Sequence, residues 1–182
     1  MSKNRVELTS PADMTPEQLE VYARFPSNLT RSLLLTKGSA GPHLTLGGSF
    51  TVGLISFLER EVLVMRVAKL LESAFERLIH YPLAIKAGLT ESEIDDIEHG
   101  RYERMEPKRV ALLVYVSECT LEHKASAEAF WALREFYSQN EVAEITHLAG
   151  HCAMTAMYLA SLDVPLDESE TSWDKLVARD PT

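Results

Sequence analysis

Apolar positions in this chain recur at intervals of three and four residues between short polar breakers, and the pattern predicts one helix after another. Met14-Thr15-Pro16-Glu17-Gln18-Leu19 opens the first. Thr15 stands as N-cap, Pro16 at the first helical position, and Gln18 reaches back, with Met14 and Leu19 as a hydrophobic staple. Short helices follow over 29–36 and 44–52, divided by the breaker at 38–42, with the Gly47-Gly48 pair weakening the second. From 58 to 71 the apolar repeat strengthens through Val62, Met65, Val67, Leu70 and Leu71. Ser73 caps a helix that stops at Gly88, and Thr90-Glu91-Ser92-Glu93 is a capping box stapled by Leu89 and Ile94. Pro107 opens a helix through 116, and Ser126 caps another that carries Phe130, Trp131 and Leu133. Ser138 and Glu141 then start a long helix to about 162. No strand run bounded by turns, no internal repeat and no low-complexity stretch interrupts the series. The fold class expected is all-α.

Composition narrows the class of protein. The 182 residues suit one domain, with 46% hydrophobic and 25% charged residues, enough to bury a core. Three segments are expected: an N-terminal arm with a short helix (1–28), a helical body (29–166) and an acidic tail (167–182) whose Trp173, Leu176 and Val177 could anchor a last short helix. Eighteen Lys and Arg against 27 Asp and Glu leave a formal charge of −9, with no basic run, which argues against nucleic acid as a partner. The longest apolar run, 110–116, is too short to span a membrane, and the N-terminus has no signal-like apolar stretch. Cys119 and Cys152 form no zinc spacing and no CxxC, so a reducing cytoplasm is the expected location and both read as inert interior thiols.

The chain has no GxGxxG, P-loop, GxSxG or HExxH. What it has is acid–base material on helices. Glu61 lies in the 58–71 helix, and Ser73, Glu76 and His80 share one face of the next, Ser73 about 20° and Glu76 about 40° around the axis from His80. A carboxylate beside an imidazole is a proton-transfer pair near neutral pH. The same residues also read as a Ser73–Glu76 capping box and an ordinary i,i+4 surface pair. Pro82 should kink this helix after His80 or restart it there. Arg77 is the cation placed to meet a substrate carboxylate on the Glu76/His80 face, with Arg66 a further candidate and surface ion pairing the competing role of both.

Glu144, His147 and His151 put three possible metal ligands on one face of the last helix, but no second element supplies a partner ligand. Gly150, Cys152, Met154 and Met157 beside them read instead as tight helix packing with a soft core, and no metal is assigned. His43 sits in a loop-like stretch that could face a cleft, while His99 and His123 sit among charges.

The segment Leu58-Glu59-Arg60-Glu61-Val62-Leu63-Val64-Met65-Arg66-Val67-Ala68 resembles the "RExxxLRVA" helix of the carboxymuconolactone decarboxylase family, which also holds the alkylhydroperoxidase D-like proteins. Ser73-Ala74-Phe75-Glu76-Arg77-Leu78-Ile79-His80 is similar to its "SxxEWxxH" stretch, and Ala84, Ala87-Gly88-Leu89-Thr90 and Glu93-Ile94 continue the likeness. Weaker similarity extends to Phe130-Trp131-Ala132-Leu133, Glu144 and Gly150-His151-Cys152, so that residues 29–166 are covered.

The resemblance implies an all-helical alkylhydroperoxidase D-like bundle, assembled as a homotrimer or hexamer, with no metal or organic cofactor. In peroxidase members a glutamate, a Cys-x-x-Cys pair and a histidine form a relay. Glu61 and His80 match the glutamate and the histidine, whereas Ser73 and Glu76 stand where the cysteines would be. A thiol peroxidase needs a thiolate and a resolving thiol, which serine and glutamate cannot supply. The implied activity is a cofactor-free lyase or isomerase acting on a small carboxylated lactone or unsaturated acid. His80 would move the proton, Glu76 orient it, Glu61 serve as second carboxylate, and Arg77 and Ser73 hold substrate. The alternatives are alkylhydroperoxidase-type redox activity through Cys119 or Cys152, and a non-catalytic oligomeric binding protein of the same fold.

Overall fold

The computed structural model describes residues 5–167. The acidic tail from 168 onward, with its expected short helix, lies outside the described residues. Nine α-helices and two short 3-10 turns make up the described chain, which contains no strand. The helices are α1 (Pro16–Arg24), α2 (Asn28–Leu33), α3 (Ala40–Ser49), α4 (Phe57–Leu70), α5 (Ala74–Lys86), α6 (Glu91–His99), α7 (Pro107–Leu121), α8 (Ala127–Arg134) and α9 (Gln139–Leu162).

The helix starts follow the capping chemistry. Thr15/Gln18 and Thr90/Glu93 form reciprocal capping boxes, and Ser126 accepts the Ala129 N–H. Ser138 and Glu141 bond reciprocally at the start of α9. A further box, Ser56/Glu59, starts α4 one turn ahead of the apolar repeat. Several boundaries differ from the sequence expectation, and the helix expected over 29–36 ends at Leu33. The helix expected over 44–52 begins earlier, at Ala40, because Pro42 falls in its first turn, where a missing N–H costs nothing. Its last residues tighten into a 3-10 turn over Phe50–Val52. The helix opened by Pro107 runs on past 116 to Leu121.

The chain divides into two compact units, one formed by residues up to Phe50 together with those from Tyr158 onward, the other by Thr51–Met157. In the first, the Arg31 guanidinium donates to the backbone carbonyls of Leu8 and Thr9 at 2.7 and 2.9 Å, and so pins the arm to α2. Asp167 accepts the Asn28 N–H at 2.8 Å at the start of the same helix.

In the second unit α4 is the central element and packs against α5, α6 and α7. Its sequence explains the position. Val62, Leu63, Val64, Met65, Val67 and Ala68 are all buried, so the middle of the helix is apolar on most sides and is enclosed by neighbours. The turn before α4 is held by α9: Glu144 accepts the N–H groups of Leu54 at 2.6 Å and Ile55 at 3.2 Å. Glycine leaves room for that carboxylate, since a Cβ at Gly53 would run into the Glu144 carboxylate oxygen and force it to shift.

Candidate active site

Glu61 sits in the first half of α4 and is fully buried, an arrangement that requires partners for its charge. It has two. Arg60 Nε donates to its Oε1 at 2.8 Å, and His80 Nδ1 lies 2.7 Å from its Oε2. The Arg60 guanidinium also rests on the Phe57 ring, 4.9 Å from its centroid, one turn back on the same helix. The far nitrogen of His80, Nε2, lies 3.6 Å from Glu76 Oε2. One imidazole is thus held between two buried carboxylates, with 17% of its own side chain still exposed.

The local structure of α5 makes this possible. Ser73 is the N-cap and accepts the Glu76 N–H at 3.3 Å, but only that half of a capping box forms. The Glu76 side chain turns to His80 instead, so the purely structural reading of Glu76 does not hold. Ser73 serves the helix start. Pro82 lies inside α5, which continues as one helix to Lys86 instead of restarting after His80. Glu76 and His80 therefore keep their i,i+4 relation on an unbroken helix.

The two carboxyls are held in different states. Burial raises the Glu76 carboxyl most, and the neighbouring Glu61 charge adds to it; His80 opposes them without cancelling them, leaving Glu76 at about 7 against an ordinary 4.5. Burial works against the Glu61 charge as well, but there the His80 and Arg60 cations outweigh it and the pKa falls. For His80, burial disfavours the imidazolium while Glu61, through charge and hydrogen bond, and Glu76 favour it; the net shift is upward. The shifts favour the ionised form of Glu61 and the imidazolium of His80 and leave Glu76 poised near 7 to give or take a proton, so that the two carboxyls take two roles.

Cys152 on α9 is buried within the electrostatic reach of Glu76 and Glu61, and desolvation followed by those two charges pushes its thiol well above the ordinary range. Cys119 is also raised, mainly by burial. Both shifts favour the thiol over the thiolate; Cys152 is the interior thiol expected from the sequence, whereas Cys119 is only half-buried.

Arg77 does not join the cluster. Its Nε donates to Glu98 on α6 at 2.6 Å, and its guanidinium stacks on Tyr81, half exposed. One residue after Glu76 is about 100° around the helix, which carries Arg77 off the face it was expected to share. The cation at the centre is Arg60. Its adjacency to Glu61 was visible, but helix periodicity places neighbours on different faces, and only the length of the Arg60 side chain brings the charges together. Arg66 is also structural: it donates to Ser117 Oγ and to the carbonyls of Ile97 and Glu98.

Among the described residues no group of three or more His, Cys, Asp or Glu side chains could hold a metal ion. Glu144 is engaged with the turn before α4. Gly150, Met154 and Met157, read as core packing, are exposed, and only Cys152 of that set is buried. No helix among the described residues is long and apolar enough to cross a membrane.

No family model matches the sequence, and no curated protein matches it. Solved structures do. A putative antioxidant defence protein AhpD from Agrobacterium tumefaciens aligns at a TM-score of 0.68 and 18% identity, over 74% of this chain and 94% of that one. The alkylhydroperoxidase AhpD core of an uncharacterized peroxidase-related protein from Ralstonia eutropha JMP134 aligns at 0.74 and 14%, over 90% and 92%. The debrominase Bmp8, in complex with 2,3,4-tribromopyrrole, aligns at 0.74 and 12%, over 97% of each chain. At these identities the likeness is one of fold, and the chain has the all-helical alkylhydroperoxidase D-like fold.

Proposed function

We propose that this protein is a cofactor-free lyase or isomerase that moves a proton on a small carboxylated lactone or unsaturated acid. One observation carries the reading: His80 is held between Glu61, whose pKa is lowered, and Glu76, which titrates near 7. Glu61 accepts from Nδ1–H, fixes the tautomer and stabilises the imidazolium, which leaves Nε2 as the atom that exchanges a proton. Decarboxylation of a β,γ-unsaturated acid whose double bond is conjugated with a second carbonyl, such as that of a lactone, breaks the C–CO₂ bond and leaves its electron pair as a dienolate delocalised into that retained carbonyl. The His80/Glu76 pair then delivers a proton to carbon. No external oxidant or reductant is needed. Arg60, paired with the buried Glu61, supplies positive potential at the centre. The raised thiols of Cys119 and Cys152 support this reading over a redox one, since peroxide chemistry needs a thiolate.

The test is a screen of small unsaturated carboxylic acids and lactones, with mass spectrometry for lost CO₂ and proton NMR for a shifted double bond. Turnover by the wild type should fall by about 10²-fold or more in His80→Ala, the range for loss of a positioned acid–base group. Turnover that persists in His80→Ala, or peroxide consumption that disappears in Cys152→Ser, overturns the proposal.

A further inference from the structure

Glu61 is a single carboxylate shared by two cation-forming side chains. Arg60 Nε donates to its Oε1 at 2.8 Å, and His80 Nδ1 meets its Oε2 at 2.7 Å. Glu61 is fully buried, while the Arg60 and His80 side chains keep 14% and 17% of their surface exposed. Each therefore turns one edge inward to Glu61 and carries a second edge directed away from it. For His80 that outer atom is Nε2, and for Arg60 it is the pair of terminal Nη nitrogens. The Phe57 ring lies 4.9 Å from the guanidinium carbon and steadies the plane of the fork.

Pairing with Glu61 does not account for the whole of Arg60. A guanidinium offers five N–H donors, and among the described residues only Nε of Arg60 donates to the protein. Arg66 on the same helix, by contrast, uses Nε and Nη1 on Ser117, Ile97 and Glu98. Charge leads the same way. One carboxylate offsets one cation, and Glu61 faces both Arg60 and a His80 whose shift favours the imidazolium. Glu76, the other carboxyl at the centre, is displaced toward its neutral form. The centre is thus set to receive an anion, and the terminal edge of a guanidinium suits a planar one that presents oxygen lone pairs.

We infer that the terminal nitrogens of Arg60 hold the substrate carbonyl oxygen on which negative charge develops, beside the His80 imidazole that exchanges the proton. The inference rests on the reading of this centre as a proton-transfer site and adds to it a residue that touches the reacting group. The bond that breaks is C–CO₂ or C–H, with CO₂ released or the proton taken by the His80/Glu76 pair. Its electron pair moves into the retained carbonyl, whose oxygen becomes an enolate, and the bond that then forms is C–H, with a proton from the same pair. Donors fixed beforehand bind the enolate oxygen more strongly than the neutral carbonyl, so the contact lowers the barrier as well as the energy of the bound substrate. Glu61 is the positioning residue for both groups, with one oxygen for each.

The test uses the full chain and tetronate, a lactone that is an enolate anion near neutral pH, with the uncharged parent butenolide for comparison. In calorimetry the wild type should bind tetronate at least ~10-fold more tightly than the neutral lactone. Tetronate should also shift the Arg60 Nε–H resonance, identified by its loss in Arg60→Lys. That variant keeps a cation on Glu61 but lacks the fork, so it should lose the preference while far-ultraviolet circular dichroism stays unchanged. Arg77→Lys, away from the centre, should keep it. On any acid or lactone that is turned over, Arg60→Lys should lower kcat by about 10²-fold with little change in KM. Equal binding of the two lactones by the wild type overturns the inference, and this comparison stands by itself if Arg60→Lys fails to fold. So does a preference for tetronate undiminished in a folded Arg60→Lys. Turnover that persists in His80→Ala while tetronate still binds through Arg60 overturns the proposed function and not this assignment.

Discussion

At the scale of single residues, the buried charges divide into one that stabilises the fold and one that burdens it. Glu76 binds its proton more tightly folded, at about 7, than its ordinary 4.5. Between those values the native state holds a proton the unfolded chain has released, so stability falls as pH rises through the interval. The difference corresponds to at most about 3 kcal/mol. Glu76→Gln cannot ionise, and urea unfolding should show it more stable than the wild type at pH 8, with the gap closing by pH 5. Arg60 is the opposite case. Its loss leaves Glu61 buried with only His80 as counter-charge, and Arg60→Met should destabilise by about 3 kcal/mol at pH 7, at the low end for a broken buried pair because His80 remains. An unchanged urea midpoint in Arg60→Met would mean that His80 alone satisfies Glu61.

At the scale of elements, two ties fix how α4 is entered. Glu59 accepts from Lys108 on α7 at 2.6 Å and from the Tyr137 hydroxyl, between α8 and α9, at 2.8 Å. These residues line a cleft of about 300 Å³. Burial would raise Glu59, but Lys108, Tyr137 and the Ser56 cap together bring it down to about 2. A depressed carboxyl adds stability above its ordinary 4.5 that disappears as pH falls toward 2. Glu59→Gln should therefore lose at most about 3 kcal/mol near pH 7, reduced by the exposure of Lys108, and little at pH 2.5, as read by denaturant titration. The other tie is the Gly53 turn. Gly53→Ala drives a methyl group into the Glu144 carboxylate, and should lower the melting temperature and speed hydrogen exchange at Leu54 and Ile55.

At the scale of the whole molecule, the titrating groups act in sequence. Below about 4.5 the lowered Glu59 and Glu61 lose their stabilising charge as pH approaches their native pKa values. Above that, Glu76 withdraws stability up to about 7. The raised His80 contributes stability below its ordinary 6.5 and loses it as pH rises through its native value. Self-repulsion of an acidic chain grows in the same direction. Maximum stability is expected near pH 5 to 6, on the acid side of neutrality. A urea midpoint at pH 8 equal to or above that at pH 5.5 would show that these carboxyls are not coupled as the geometry indicates.

Local chemistry was legible wherever a residue acts on neighbours within one turn. The caps at Thr15, Ser73, Thr90, Ser126 and Ser138, the all-helical class, and the shared face of Glu76 and His80 follow from spacing alone, because backbone hydrogen bonding and the 3.6-residue repeat depend on nothing distant. The packing of α4 against α5, which brings Glu61 onto His80, was not contained in any periodicity. Nor was the choice of Arg60 over Arg77, the turning of Glu144 to the Gly53 loop, or the exposure of Met154 and Met157. Each depends on which face of a helix meets which neighbour. The sequence by itself determined the helices and their acid–base residues; only the tertiary structure decided which charges are desolvated together, since burial and long-range Coulomb contact are properties of packed elements.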